Sequence, residues 1–126
     1  MEDETLISSP MQLEQNLSQH IQMLYIAQLG HKPSHVSCQL IDKTITIVVD
    51  NPITQPERLL DESGKQEFAQ QVRDNLHKAL QPQLKVLIEE VVGVSVIQLM
   101  GESKLQTGLT TVIALLADKP KVSNFS

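Results

Sequence analysis

The sequence predicts an α+β fold: a two-layer sandwich of order α-β-β-(short α)-α-β-β, with a four-stranded antiparallel sheet carrying its helices on one face. Three observations predict it. Two long stretches place apolar residues at helical spacing, two others alternate apolar with polar residues, and 126 residues suffice for one domain.

The first helix is expected from about Pro10 to Leu29. Ser9 and Gln12 have capping-box spacing, and Pro10 occupies the first turn, where a missing N–H is harmless. Leu13, Leu17, Ile21 and Leu24 trace its apolar stripe, Gly30 supplies a left-handed stop, and Pro33 keeps the helix stopped. Val36, Cys38 and Leu40 then alternate with polar residues, as do Ile45, Ile47 and Val49. With Asp42 and Lys43 as a two-residue turn, Leu40 faces Ile45, Cys38 faces Ile47 and Val36 faces Val49, so one register gathers every apolar partner on one face.

Thr54 with Glu57 repeats the capping-box spacing before a short helix near Gln55 to Asp61. Ser63 with Gln66 repeats it again before the longest helix, from Gly64 towards Val91. Its expected stripe starts with Phe68, Val72 and Leu76 and continues through Leu80, Leu84 and Ile88. Pro82 lies inside this pattern and predicts a kink or a break. A second hairpin follows, with strands Val94 to Leu99 and Thr110 to Ala117 joined by a loop from Gly101 to Gly108. In a symmetric register Val94, Val96, Ile113 and Leu115 share one face, and Ile97, Leu99, Val112 and Leu116 share the other. Both faces are apolar, whereas the helices cover one. Ile97, Leu99, Val112 and Leu116 are therefore the candidate interface, most simply of a two-fold homodimer, unless a kinked helix end or the C-terminal tail folds over them. Residues 1–8 read as a flexible acidic arm, 9–118 as the single domain and 119–126 as a polar tail.

Composition excludes several functions. Fifteen acidic against ten basic residues give a net charge of -5, the wrong sign for binding nucleic acid, and one Tyr with two Phe makes no stacking platform. No apolar run approaches the roughly 18 residues of a membrane helix, and Glu2, Asp3 and Glu4 replace the basic start of a secretory signal. The single Cys38 fits a reducing compartment. A soluble cytoplasmic protein is expected.

The search for chemistry yields no catalytic set, metal site or cofactor motif. His31 and His35 are separated by Pro33 and cannot share a helical turn as a metal pair would. His20 and His77 read as surface or boundary residues, and Cys38, without a neighbouring base, reads as an inert core thiol. Gly101, Ser103, Lys104 and Gly108 lack the spacing of a phosphate-binding loop. Arg73, Lys78 and Lys85 are too dispersed among acidic residues to form a basic stripe.

The run Gly30-His31-Lys32-Pro33, the turn at Asp42, the segment Thr54-Gln55-Pro56-Glu57-Arg58, the helix end Leu87-Ile88-Glu89-Glu90 and the strand Val94-Ser95-Val96-Ile97-Gln98-Leu99 together resemble the small bacterial MpsC-like, or YbcI-like, family. The similarity spans Ser9 to Asp118. Lys32 stands where the family's GxGP turn has its second glycine, and Glu102 fills the place of an acidic residue after the third strand. The resemblance implies association with a sodium-translocating, membrane-potential-generating system whose membrane partners look like inorganic-carbon transport proteins. A chain without a membrane span could serve such a system only as an accessory.

Two function classes follow. The first is a non-enzymatic interaction or regulatory module, with a homodimer and a membrane transport complex as its partners. The second is a small-molecule sensor or small enzyme with a pocket between sheet and helices, drawing on His35, Arg58 or Glu102.

Overall fold

The computed structural model describes residues 9–120. Its elements are α1 (Pro10–Leu29), β1 (His35–Ile41), β2 (Thr44–Asp50), α2 (Gln55–Glu62), α3 (Gln66–Val92), β3 (Val96–Lys104) and β4 (Leu109–Leu116). This is the expected α+β order. All strand pairs are antiparallel in the order β1-β2-β4-β3, so the two hairpins lie side by side and β2 pairs with β4 at the centre. The acidic arm at 1–8 and the last six residues of the expected tail lie outside the described residues.

The first half of the chain forms as its local chemistry dictates. Ser9 and Gln12 exchange reciprocal bonds at the start of α1, and Gly30 ends that helix at φ 80°. Thr54 and Glu57 do the same for α2. In the β1–β2 hairpin Leu40, Cys38 and Val36 stand opposite Ile45, Ile47 and Val49, with Asp42 taking the left-handed conformation at φ 57°. The third expected capping box does not form. Ser63 instead closes α2, its hydroxyl donating to the Leu59 carbonyl at 2.7 Å, and α3 begins at Gln66 without a side-chain cap.

Pro82 does not break α3, which runs for 27 residues. The proline is exposed, as is Lys78, whose carbonyl loses its donor; solvent is therefore at hand to replace that bond. Without a structural role for the ring, Pro82→Ala is expected to raise stability by about 2–3 kcal/mol in urea unfolding, and an unchanged or lowered midpoint would contradict this.

The second hairpin is longer than expected. β3 continues to Lys104, leaving only Leu105 to Gly108 as the loop. Gly101 and Ser103 stand opposite the buried Val112 and Thr110 while Glu102 and Lys104 stand opposite Thr111 and Leu109, so the apparent loop alternates as a strand does. A bulge between Val96 and Gln98 changes the parity of β3. The expected interface set is therefore divided. Val112 and Leu116 are buried in the core beneath the helices, Leu99 packs against that core, and Ile97 alone is fully outside, 69% exposed. The outer face carries Val48, Met100, Ile113 and Leu115 instead.

The core joins Leu17, Ile21 and Tyr25 of α1 with Leu80, Leu84 and Ile88 of α3 over Ile45, Ile47, Val112 and Ala114 of the central strands. Helix side chains also satisfy amides at the sheet margins. Glu14 accepts from Leu40 N–H at 2.7 Å, Glu89 from Val96 N–H at 2.9 Å and Gln70 from Leu105 N–H at 2.8 Å. These bonds hold α1 over β1 and α3 over β3.

Candidate functional site

The buried face of α3 consists of Ala69, Arg73, His77, Leu80, Leu84, Ile88 and Val92. Its second half follows the expected stripe, whereas its first half is rotated by one position, leaving Phe68 and Leu76 exposed and turning Arg73 and His77 inward. Two polar side chains thus enter the apolar layer. Burial of this kind requires partners.

Arg73 has them. Its Nε donates to Ser103 Oγ at 2.8 Å, its Nη1 to Glu57 Oε1 at 3.2 Å and its Nη2 to the Asn51 carbonyl at 2.7 Å. Both charged side chains are almost fully buried, so this is an internal ion pair joining α2 to α3. Glu57 serves twice, because the same Oε1 accepts from Thr54 N–H in the capping box. The hydroxyl protons can be ordered. Thr110 donates to Asn51 Oδ1 at 2.8 Å, so Ser103 donates its proton to Thr110 Oγ1 at 2.7 Å and receives from Arg73. Asn51 is itself held by the β3–β4 loop, its N–H donating to the Gly108 carbonyl at 2.9 Å.

Beside this network lies a cleft of about 430 Å³, within the range of small-molecule sites. α1 packs on β1 and α3, whereas α2 packs on α3 alone, and the cleft occupies the space between the end of α1 and α2. Leu29, Leu60, Val72, Leu76 and Leu80 supply an aliphatic wall; Arg73, Glu57, Tyr25, Ser103 and Thr110 supply a polar floor. His31 and His77 also line it. The Nε2 atoms of both rings are buried without a hydrogen-bond partner among the described residues.

Burial lowers the pKa of His77, opposed by a bond to the Gly101 carbonyl and by Asp74, with Arg73 adding to the depression. The ring is thus neutral at pH 7, and its unfolded counterpart takes up a proton more readily. Stability from His77 is full above about pH 6.5 and is lost as pH falls through the lowered folded value. His77→Phe is expected to flatten this acid-side loss in urea midpoints measured between pH 7.5 and 5; an unchanged slope would contradict it. Burial also raises the pKa of Tyr25, partly offset by the Thr110 hydroxyl and the charge of Arg73.

The residues singled out for a pocket lie elsewhere. His35 is exposed on edge strand β1, Arg58 is exposed on α2 and Glu102 is exposed on β3 beside Lys104. They do not converge. The sequence signal for the true pair was available: spacing carried back from Leu84 and Leu80 lands on His77, Arg73 and Ala69. Apolar scoring passes over it because two of those positions are polar. Cys38 is half-buried on β1, and burial pushes its thiol up to about 11, with a Ser18 hydrogen bond opposing and Glu14 adding to the shift. Such a thiol is a poor nucleophile. Among the described residues no cluster of three or more His, Cys, Asp or Glu could hold a metal ion, and no helix is long and apolar enough to cross a membrane.

No curated protein and no solved structure matches the chain significantly. A family model does, over residues 9–118, a span that includes every element of the fold and every residue of the cleft. The chain belongs to the MpsC family, described as Na+-translocating membrane potential-generating system (MpsC).

Proposed function

We propose that this chain is a non-catalytic, ligand-responsive module serving as a cytoplasmic accessory of a Na+-translocating, membrane-potential-generating system. The observation that carries the reading is the cleft, lined by an aliphatic wall, an internal ion pair and two histidines whose Nε2 atoms are buried without a hydrogen-bond partner among the described residues. A buried polar atom left unpaired is unfavourable by about 1–3 kcal/mol, and a bound molecule that pairs with it recovers that loss. Among the described residues no hydroxyl of the floor is hydrogen-bonded to either histidine, which favours binding over turnover. The family description supplies the system, and the absence of a spanning helix among the described residues makes a peripheral role the natural one.

A thermal-shift screen of the full chain against a metabolite panel tests this. Binding to the native state alone adds about 2.7 kcal/mol at a ligand concentration of a hundred times Kd. At least one compound is expected to raise the Tm of the native sequence and to lose that effect in Val72→Phe, which narrows the cleft. A panel without a cleft-dependent shift would overturn the proposal.

A second reading rests on the outer sheet face. Ile97 and Met100 are exposed there beside Val48, Ile113 and Leu115, and no helix among the described residues covers them. Self-association of two copies through this face is the homodimer it supports. Light scattering is expected to show a dimer that Ile97→Asp with Met100→Glu converts to a monomer; a strict monomer at high concentration would remove this reading.

A further inference from the structure

Resting on the ligand-binding reading, we infer that α2 is a lid on the cleft, latched by Glu57 on Arg73, and that a carboxylate with an aliphatic body releases it by taking the place of Glu57 at the guanidinium.

The attachment of α2 is the first argument. Among the described elements α2 packs on α3 alone, and the only buried side chain of its eight residues is Glu57. Leu59 is 66% exposed and Leu60 borders the cleft, so little apolar area fastens this helix to the body. A second groove separates its other side, at Arg58, Asp61 and Glu62, from the β3–β4 loop. The helix is thus flanked by open space on two sides. Short joints bound it: Pro52 and Ile53 lead in from Asn51, and Gly64, at φ 77° with nothing within 4 Å of its Cβ position, leads out.

The division of the Arg73 bonds is the second argument. Its Nε donates to Ser103 of β3 at 2.8 Å and its Nη2 to the Asn51 carbonyl at the end of β2 at 2.7 Å, whereas its bond to α2 is a single contact at 3.2 Å. The two bonds on the sheet side have the usual length of charge-assisted pairs; the latch is the longest of the three. When α2 lifts, Glu57 reaches water and keeps Thr54 N–H as its partner, while the guanidinium stays fixed to the sheet with its charge uncompensated. A buried cation without a counter-ion is costly, so the lid stays shut until another anion supplies one. A carboxylate is the group Arg73 already receives, and among the residues lining the cleft no other Arg or Lys competes for it. The body follows from Leu29, Val72, Leu76 and Leu80, the part of the aliphatic wall that does not move with α2.

Isovalerate and its uncharged isostere isovaleramide test this in the full chain at equal ionic strength. A helix of eight residues is too short to persist in water once undocked, so its amides report release through hydrogen exchange. With isovalerate the α2 amides from Arg58 to Glu62 are expected to exchange about tenfold faster while the Tm rises, and those of α3 and the sheet to stay protected. A molecule that only filled the cleft would slow them instead. The chain has one tyrosine and no tryptophan, and that tyrosine, Tyr25, lines the cleft, so its emission follows binding. Glu57→Gln weakens the competitor and is expected to bind isovalerate about tenfold tighter, with isovaleramide unchanged. Where that variant does not fold, exchange in the native sequence decides alone. Slower or unchanged exchange of α2 under saturating isovalerate would overturn the inference, as would equal affinity for isovalerate and isovaleramide, or weaker isovalerate binding in Glu57→Gln. A panel compound with a cleft-dependent Tm shift, where isovalerate has no effect, would remove the lid and keep the binding site. Failure of isovalerate together with a panel that gives no shift would remove both.

Discussion

Arg73→Met is expected to lower the unfolding free energy by about 3–5 kcal/mol, because it strands a buried carboxylate. Glu57 is 3% exposed and would keep only the Thr54 amide as a partner, while Ser103 Oγ and the Asn51 carbonyl would each lose a donor. The loss reaches three elements at once, since Arg73 ties α3 to α2, to the end of β2 and to β3. The double variant Arg73→Met with Glu57→Gln separates the charge from the packing. Gln retains an acceptor for Thr54 N–H and removes the stranded charge, so the double variant is expected to recover most of the loss. A single variant destabilised by less than about 1 kcal/mol in urea would mean that the pair is not held in a low-dielectric interior.

Gly101→Ala is expected to cost about 3 kcal/mol, although the residue lies in a strand and its φ is not in the left-handed range. A Cβ at this position would collide with the Thr111 carbonyl oxygen and would press on Val112 Cα at 3.0 Å across the β3–β4 ladder. Both obstacles are backbone, so no rotamer change relieves them and the strands must part. The effect should extend to the cleft, because Ser103, two residues on in the same strand, holds the Arg73 side chain that lines it. Gly64→Ala is the control: its Cβ meets nothing within 4 Å, and only the φ of 77° opposes it, at about 1 kcal/mol. Equal midpoints for the two variants would contradict the assigned β3–β4 packing.

The elements whose specification is local were legible in the sequence. Capping chemistry at Ser9 and Thr54 and strict alternation around the Asp42 turn placed α1, β1, β2 and α2, down to the pairing of Cys38 with Ile47. The outer limit of β3 was not legible, because Gly101 and Ser103 are loop residues by type; at Gly101 the β4 backbone of Thr111 and Val112 leaves no room for a Cβ, and Ser103 is held by Arg73 and Thr110. The same holds for Ser63, whose hydroxyl is spent on ending α2 before it could start α3.

The cleft was the least legible part. Phe68, Val72 and Leu76 offered an apolar stripe that agreed with Leu80, yet α3 buries Ala69, Arg73 and His77 in their place. Arg73 can be buried only because Glu57, Ser103 and Asn51 arrive from distant parts of the chain. Single-helix periodicity contains no term for such partners. A pocket between helices and sheet was foreseen, while its residues, His77 and Arg73 rather than His35 and Arg58, required the tertiary structure.

The most direct test is the imidazole nitrogen spectrum of the full chain, recorded free and saturated with a compound that raises the Tm of the native sequence but not that of Val72→Phe. The chain has four histidines, and they provide their own controls. His31 and His77 line the cleft, whereas His20 is exposed with Nδ1 against the Asn16 carbonyl at 2.8 Å and His35 is exposed on β1. The account predicts that the His77 and His31 resonances shift on saturation and that those of His20 and His35 stay in place. Saturation that leaves His77 unmoved, or that moves all four rings alike, would contradict it.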